Sequence, residues 1–452
     1  MPAAARYSAD WVFPITSPPI PHGALLVDAH GRIADVGADA HVPRPDGVVR
    51  VDLGACALLP GLVNVHAHPE LTVFRGLLED LAFPDWIAAL NTHRTRAQPA
   101  DMWSVSARAA CLEAIAAGIT TVAATEDSAA AAGALRDAGL RGIVYKEVFG
   151  PSPALANDAF GALRAAVDDL RTDATDLVRI GVSPHAPYTV SDALFRLIAD
   201  YARAEGLPVA VHAAESADED AFVRSGAGVF ADRHIARGIA VAPRARSTIE
   251  LLENSGILEL RPLLIHCVRV DAEDIARIAF HGAPVAHCPI ANARLGHGIA
   301  PLGALLDAGV TVGLGTDSVA SNNRMDLLEE ARAAQLLQRA SLRRSEPFPS
   351  ARLLRIATLD GARALGLDGV IGSLVPGKEA DLCALALDGP HVVPVHDPAA
   401  AVVHAARASD VVMTVVRGRV LWWRGQAHSM DASGVRRRLA ELAAHVPTPG
   451  RA

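Results

Sequence analysis

The chain has 452 residues, of which 51% are hydrophobic and 20% charged, and its formal net charge is −8. This composition excludes a disordered or fibrous chain, and with no block of like charge it argues against a nucleic-acid or anionic-membrane surface. Every 18-residue apolar run is interrupted by charge, Gly or Pro, so no transmembrane helix is predicted.

The first ten residues lack a basic region followed by an apolar one and do not read as a secretory signal. Within residues 1–60, β-branched-rich runs at 24–27, 33–36 and 48–53 are separated by Gly, Asp and Pro and predict short strands. From residue 61 the pattern changes. Strand-length apolar runs at 62–65, 119–124, 142–148, 179–182, 208–211, 262–265, 283–286 and 311–314 alternate with stretches of helical period. Val105, Ala109, Leu112 and Ala116 mark one helix, and Leu194, Ile198 and Tyr201 mark another after a Ser191 cap. Asp271 is placed to cap a third, which carries Ile275 and Ile278, and the alanine-rich stretch 129–134 reads as a helix face. Eight strand–helix units predict an α/β protein with a closed (β/α)8 TIM barrel over 61–366. Its strands are nearly continuous apolar runs, as burial on both faces requires.

After residue 367 strands return, at 381–387, 411–416 and 420–423, followed by a helix at 432–444 whose Arg436, Arg437 and Arg438 lie on a solvated face. Residues 1–60 and 367–452 are therefore expected to form one small β-sandwich from both chain ends. The last six residues, from Pro447, are expected to be loose. Cys56, Cys111, Cys267, Cys288 and Cys383 are scattered, with no C-x-x-C pair. They predict neither a disulfide framework nor a thiolate zinc site, and fit a reducing, cytoplasmic location.

The informative residues stand at the strand ends. The first barrel strand ends Val65-His66-Ala67-His68, the fourth Ser183-Pro184-His185 and the fifth His212-Ala213-Ala214-Glu215. The sixth ends His266-Cys267, the seventh His287-Cys288 and the eighth Gly315-Thr316-Asp317. In a barrel these carboxyl ends share the rim where active sites sit, so six histidines, a glutamate and an aspartate converge there. His66 and His68, two apart on a strand, point the same way and make a chelating pair. An isolated H-x-H is a weak signal. Here four further ligand-type residues end later strands, and imidazoles with one carboxylate suit zinc or another first-row divalent ion. Asp317 only accepts, so it suits both a metal and a proton from water. Glu215, three past His212, reads as a general acid/base that delivers a proton to a ring nitrogen and later to ammonia; the alternative is a helix-capping carboxylate. His297, in Leu295-Gly296-His297-Gly298, is the weaker candidate and reads as a residue that holds the strand-seven loop. Cys267 and Cys288 read as small buried hydrophobes.

The segments Pro60-Gly61-Leu62-Val63-Asn64, His185-Ala186-Pro187-Tyr188, His212-Ala213-Ala214-Glu215, His287-Cys288-Pro289-Ile290-Ala291-Asn292, Gly315-Thr316-Asp317-Ser318 and Gly377-Lys378-Glu379-Ala380-Asp381-Leu382 are specific in combination. Together the chain resembles the amidohydrolase superfamily, in its branch of aminohydrolases and chlorohydrolases, over nearly its whole length. The resemblance implies one divalent ion held by His66, His68, His212 and Asp317, with zinc expected and iron or manganese as alternatives. It assigns Glu215, His266 and Asp317 to proton handling and His185 to the substrate. With His185 at the end of strand four, no carboxylated lysine is expected there, which favours one metal; Lys146 is the residue that would complicate this.

Arg75-Gly76-Leu77-Leu78-Glu79-Asp80-Leu81 is similar to S-adenosylhomocysteine and adenosine deaminases, but the ribose-binding glutamate those enzymes carry soon afterwards is missing. The segments Phe83-Pro84-Asp85-Trp86-Ile87 and Lys146-Glu147-Val148-Phe149-Gly150 look more like aminodeoxyfutalosine deaminases, and the strand-seven loop is close to triazine hydrolases. Trp86, Glu147 and Arg94 join His185 as expected substrate contacts, with Arg94 offered to a carboxylate or, alternatively, lying on a solvated helix face. The expected reaction is hydrolytic deamination of a 6-aminopurine nucleoside. A triazine or guanine-type hydrolase and a non-catalytic binding barrel are the rivals. Expected partners are a small-molecule substrate and further copies of the chain, as a homodimer or higher homo-oligomer, with neither nucleic acid nor membrane.

Overall fold

The computed structural model describes residues 4–96, 98–345 and 348–447, so the tail expected to be loose lies, from Thr448 onward, outside the described residues. The N-terminal strands are β1 (Ala5–Val12), β2 (Ile20–Val27), β3 (Ile33–Ala38), β4 (Val49–Asp52) and β5 (Cys56–Pro60). The barrel strands are β6 (Leu62–Ala67), β7 (Ile119–Glu126), β8 (Arg141–Val148), β9 (Val178–Pro184), β10 (Ala210–Ala213), β11 (Leu263–His266), β12 (Val285–His287) and β13 (Val312–Leu314). The C-terminal ones are β14 (Leu382–Ala386), β15 (Val411–Val416), β16 (Arg419–Trp423) and β17 (Gln426–Ala427).

Both chain ends build one mixed nine-stranded sheet in the order β17-β16-β15-β14-β5-β1-β2-β3, with β4 paired to β1. The antiparallel pairing of β14 with β5, Leu382 opposite Pro60, joins the two ends of the chain. One face packs its own core from Tyr7, Val12, Leu25, Leu58, Leu382 and Met413. The sequence reading missed β1. Ala5, Tyr7 and Ala9 are buried while Ser8 is half-buried and Asp10 exposed, an alternation that marks a one-sided strand. Arg6 breaks the alternation because its buried guanidinium is satisfied by Asp39 and the Pro43 carbonyl.

The parallel strands β6 to β9 and β10 to β13 form two four-stranded sheets. Single parallel bridges, Val182 with Val209 and Ala67 with Asp317, join them at both seams, so the eight strands run round as a ring. At one seam Asp317 N donates to His66 O at 2.9 Å, and at the other Val182 N donates to Pro208 O at 3.0 Å. Strands β10 to β12 lie one or two residues beyond the expected runs. Pro208 has no N–H to give a ladder, and the shift carries His212, His266 and His287 into the strands themselves.

The anticipated helices form at Met102–Ala116, Ala131–Ala138, Asp192–Glu205, Ala272–His281 and Ala432–Ala443. Ser191 accepts from Leu194 N, and Asp271 makes a reciprocal capping box with Asp274. Two helices that matter for function, Phe83–Thr95 and Val229–Ile235, sit in the long connections after β6 and β10. Arg233 of the second donates to the Pro84 carbonyl of the first at 3.0 Å. Among the described residues no helix is long and apolar enough to cross a membrane.

Candidate active site

The carboxyl ends of the barrel strands bring five imidazoles together. Ring centroids lie 4.8 Å apart for His66 and His68, 5.0 Å for His66 and His212, 5.5 Å for His212 and His266, and 4.8 Å for His185 and His212. His287, expected at the same rim, is buried but does not line the cavity. The nitrogens facing away from the centre are already engaged. His66 Nδ1 pairs with the Thr125 hydroxyl at 3.2 Å, His212 Nδ1–H donates to the His185 carbonyl at 3.1 Å, and His266 Nδ1–H donates to Asn292 Oδ1 at 2.9 Å. This leaves Nε2 as the inward donor, and second partners of this kind are what orient metal-binding imidazoles.

Asp317 closes the group, with Oδ1 at 3.3 Å from His66 Nε2 and 3.6 Å from His68 Nε2. Its other oxygen accepts from the Ser321 hydroxyl at 3.0 Å. The approach of β13 to β6 depends on Gly315: a Cβ there would lie 2.8 Å from the His66 Cβ. Asn64 adds a clamp, donating to the Thr316 hydroxyl at 2.8 Å and accepting from its N–H at 3.1 Å. Ala214, His266 and Asp317 all have positive φ, at 52°, 76° and 58°. A left-handed non-glycine residue costs about 1–2 kcal/mol, and such costs cluster where side chains must be aimed rather than merely packed.

The donor set fits a divalent ion. The His66, His68 and Asp317 donors lie within 4.8 Å of one another, as do those of His66, His212 and His266, and His66 belongs to both groups. His66 Nε2 is buried without a hydrogen bond among the described residues, as suits a nitrogen aimed at a cation rather than one satisfied within a core. Burial drives the His68, His212 and His266 imidazoles below their ordinary range, so they stay neutral. Burial works against ionising Asp317, but its close pairing with His66, and beyond it with His266 and His68, lowers its carboxyl well below the usual value. Neutral imidazoles with an ionised carboxylate are what a divalent cation requires. Lys146 takes no part: its ammonium donates to the Asp127 carbonyl at 2.5 Å.

Glu215 is not a helix cap. Ser216 caps the next helix, and Glu215 instead lines the cavity, with Oε1 at 3.4 Å from His266 Nε2 and 3.2 Å from His297 Nε2. Its backbone is fixed by Glu219, whose carboxylate accepts from Ala214 N and Glu215 N at 2.8 and 2.9 Å. Burial opposes its ionisation too, yet the adjoining imidazoles of His266 and then His297 lower it below the ordinary glutamate value. Glu147 is the opposite case. Burial, then the charge of Asp127, pushes it up to about 8, and it stands 3.9 Å from His185 Nε2. The two carboxyls of the cavity wall are therefore shifted in opposite directions, Glu215 down and Glu147 up.

These groups open into a cavity of about 620 Å³. Its apolar wall comes from Phe83, Trp86, Leu90 and Trp103, and His185 lines it with its Nδ1 paired to the Thr189 hydroxyl at 2.7 Å. Arg94 also lines it, 16% exposed and ion-paired with Asp127, so it does not lie on a solvated helix face. Sequence reasoning missed Thr125, Asn292, Glu219 and Glu70. Glu70, two past His68, is fully buried, neither carboxyl oxygen has a hydrogen bond among the described residues, and burial raises it well above the usual range. Cys267 and Cys288 are buried free thiols. A second cleft of about 790 Å³, lined by Glu113, Asp326, His391 and Arg407, holds none of the strand-end residues.

The amidohydrolase family pattern matches residues 57–421. A 5-methylthioadenosine/S-adenosylhomocysteine deaminase of Syntrophobacter fumaroxidans is 34% identical over 429 residues, 93% of each chain. Among solved structures, an adenosine deaminase from Xanthomonas campestris with bound zinc superposes with a TM-score of 0.87 at 27% identity, covering 98% of this chain and 99% of that one. An atrazine chlorohydrolase from Arthrobacter aurescens complexed with zinc gives 0.84 at 26% identity, covering 97% and 100%.

Proposed function

This chain belongs to the amidohydrolase family, and from that premise we propose that it hydrolyses the amino group from a 6-aminopurine nucleoside bearing a bulky substituent on its sugar. The observation that carries the reading is the placement of Glu215 beside an inward-facing group of imidazoles and Asp317, at one end of a cavity of nucleoside size. The similarity to deaminases of adenosine-type nucleosides supports it. His66, His68, His212 and Asp317 would hold one divalent ion, zinc by preference, since two of the similar structures contain it. Bound there, the ion would lower the pKa of water and polarise the attacked carbon's surroundings.

The protein's own groups account for the proton traffic. Asp317 and His266 orient the attacking water, whose oxygen bonds to the ring carbon bearing the amino group. Because Glu215 is ionised at rest, the proton it gives to the neighbouring ring nitrogen must first come from that water. The remaining hydroxyl proton passes through Asp317 to the amino group, the carbon–nitrogen bond breaks, and ammonia leaves as the carbonyl forms. Protonated Glu147 donates to an acceptor edge of the ring beside His185, and Trp86 packs on its face. Arg94, held by Asp127, shapes the outer wall and would share its charge with any carboxylate on the substrate.

We assign the domains as residues 1–60 and 367–452 for the end sheet and 61–366 for the barrel. A homodimer or higher homo-oligomer belongs to the same proposal, as does a cytoplasmic location, which five buried free cysteines support. The test is ammonia release from adenosine, S-adenosylhomocysteine, methylthioadenosine, aminodeoxyfutalosine, guanine and a chlorotriazine. The highest kcat/KM is expected on a substituted adenosine, and guanine is expected to be poor. A chlorotriazine preferred by a wide margin would instead favour the rival to which the atrazine chlorohydrolase likeness points. Glu215→Gln is expected to keep its metal and lose about 10²-fold or more in turnover; near-normal turnover would make Glu215 structural.

A further inference from the structure

One histidine outside the central group touches the proton carrier directly. His297 is 9% exposed and follows the short helix Pro289–Arg294. Its N–H donates to the Asn292 carbonyl at 2.9 Å, and it stands between Gly296 and Gly298, whose φ values are 73° and 109°. A side chain is presented here by a turn that only glycines adopt without strain. The imidazole Nε2 lies 3.2 Å from Glu215 Oε1, an ion-pair contact without hydrogen-bond alignment, and makes no hydrogen bond among the described residues. On its far side the ring meets Phe83 edge-on, with centroids 4.4 Å apart and planes at 89°.

Phe83 in turn connects His297 to the cavity wall. It is the first residue of the helix Phe83–Thr95, stacks on Trp86 at 6.5 Å, and meets Phe230 edge-on at 6.4 Å. Phe230 stacks on Tyr188 with centroids 4.1 Å apart. The chain of contacts therefore runs from the two helices that wall the mouth, through His297, to the carboxyl oxygen of Glu215.

We infer that His297 is the positioning residue of the proton carrier, fixing Glu215 Oε1 between two imidazoles and coupling its placement to the Phe83 wall. It rests on the reading of Glu215 as the group that protonates the substrate. Two imidazole nitrogens, His266 Nε2 at 3.4 Å and His297 Nε2 at 3.2 Å, flank the same carboxyl oxygen, and proton transfer is sensitive to displacements of a fraction of an ångström. His297 is not among the residues that line the cavity, so it acts through Glu215.

The test compares His297→Leu, His297→Gln and Glu215→Gln, each with metal content and melting temperature measured, on the best nucleoside substrate. His297→Leu is expected to lower kcat by about 10-fold or more with little change in KM and full metal occupancy. His297→Gln keeps a side-chain N–H and is expected to recover much of the loss; it also carries the test if the leucine variant is poorly folded. In the Glu215→Gln background, His297→Leu should change kcat no further, since groups that act as a unit are not additive. Unchanged kcat in both folded His297 variants would overturn the inference, as would an equal loss in both backgrounds. Full activity of Glu215→Gln alone would overturn the functional reading instead, so the two failures are separable.

Discussion

At the scale of single residues, what distinguishes this cavity is that opposite protonation demands are met within a few ångströms. His212 gives one nitrogen to the His185 carbonyl, so its other nitrogen is free for a cation. Asp317 is held ionised against burial by the imidazoles around it. Removing either should empty the site without unfolding the chain, because ligands at the rim are not part of the packed layers below. His212→Ala and Asp317→Ala are expected to retain native circular dichroism, lose most bound metal by elemental analysis, and fall at least ~10²-fold in kcat. Full occupancy in both would show that His266 takes a ligand position with His66. The strand-end histidines were legible in the sequence because each interrupts an apolar run. Their partners were not: Thr125 and Asn292 are ordinary polar residues whose meaning comes only from what lies across the barrel. The pairing of Arg94 was not legible either, since Asp127, its ion-pair partner, is 33 residues away.

At the scale of elements, the periodic segments were readable and the irregular ones were not. The eight barrel strands and the helices capped by Ser191 and Asp271 follow from local pattern. The left-handed residues Ala214 and Asp317 do not, because nothing in an alanine or aspartate announces a positive φ. Strand β1 was hidden because a charge, Arg6, is buried in the row that otherwise faces outward. Arg6 Nη2 donates to Asp39 Oδ1 at 2.7 Å and to the Asp39 carbonyl at 2.8 Å. The Arg6 hydrogen bond is the largest influence lowering the Asp39 carboxyl. A carboxyl whose folded pKa is depressed stabilises the fold above its unfolded value, near 4, and loses that contribution as pH falls through the folded one. Asp39→Asn is therefore expected to cost about 1 kcal/mol at pH 7, a figure kept small because Asp39 is partly exposed. Urea melts of the two proteins should converge as the pH is taken below 4. A gap that stays constant with pH would mean that shape, not charge, holds the strand.

At the scale of the whole molecule, the end sheet and the barrel are joined through a buried ionic cluster at the opposite end of the strands from the cavity. Arg141, at the start of β8, is 5% exposed; its Nε donates to Asp381 Oδ2 at 2.9 Å and its Nη2 to Glu379 Oε2 at 2.6 Å. Asp381 also accepts from Arg417 N at 2.8 Å, in the turn between β15 and β16, and its carbonyl accepts from Gly61 N at 2.8 Å, between β5 and β6. One aspartate thus connects the barrel, the chain entering it and the C-terminal strands. Breaking a buried pair leaves an uncompensated charge, which costs about 3–5 kcal/mol, whereas the pair itself need not stabilise by that much. Asp381→Asn keeps the size of the side chain and removes its charge, so it isolates the electrostatic part. Glu147, at the other end of β8, lies six residues from Arg141, roughly 20 Å at the usual rise of a strand. The loss of stability should therefore not reach the chemistry. Asp381→Asn is expected to lower the urea unfolding free energy by about 3 kcal/mol, while metal content and kcat at 25 °C stay within about 2-fold of the parent. If the folded variant instead lost metal or turnover, the cluster would be coupled to the rim, and the separation of stability from function along the strands would not hold for this barrel.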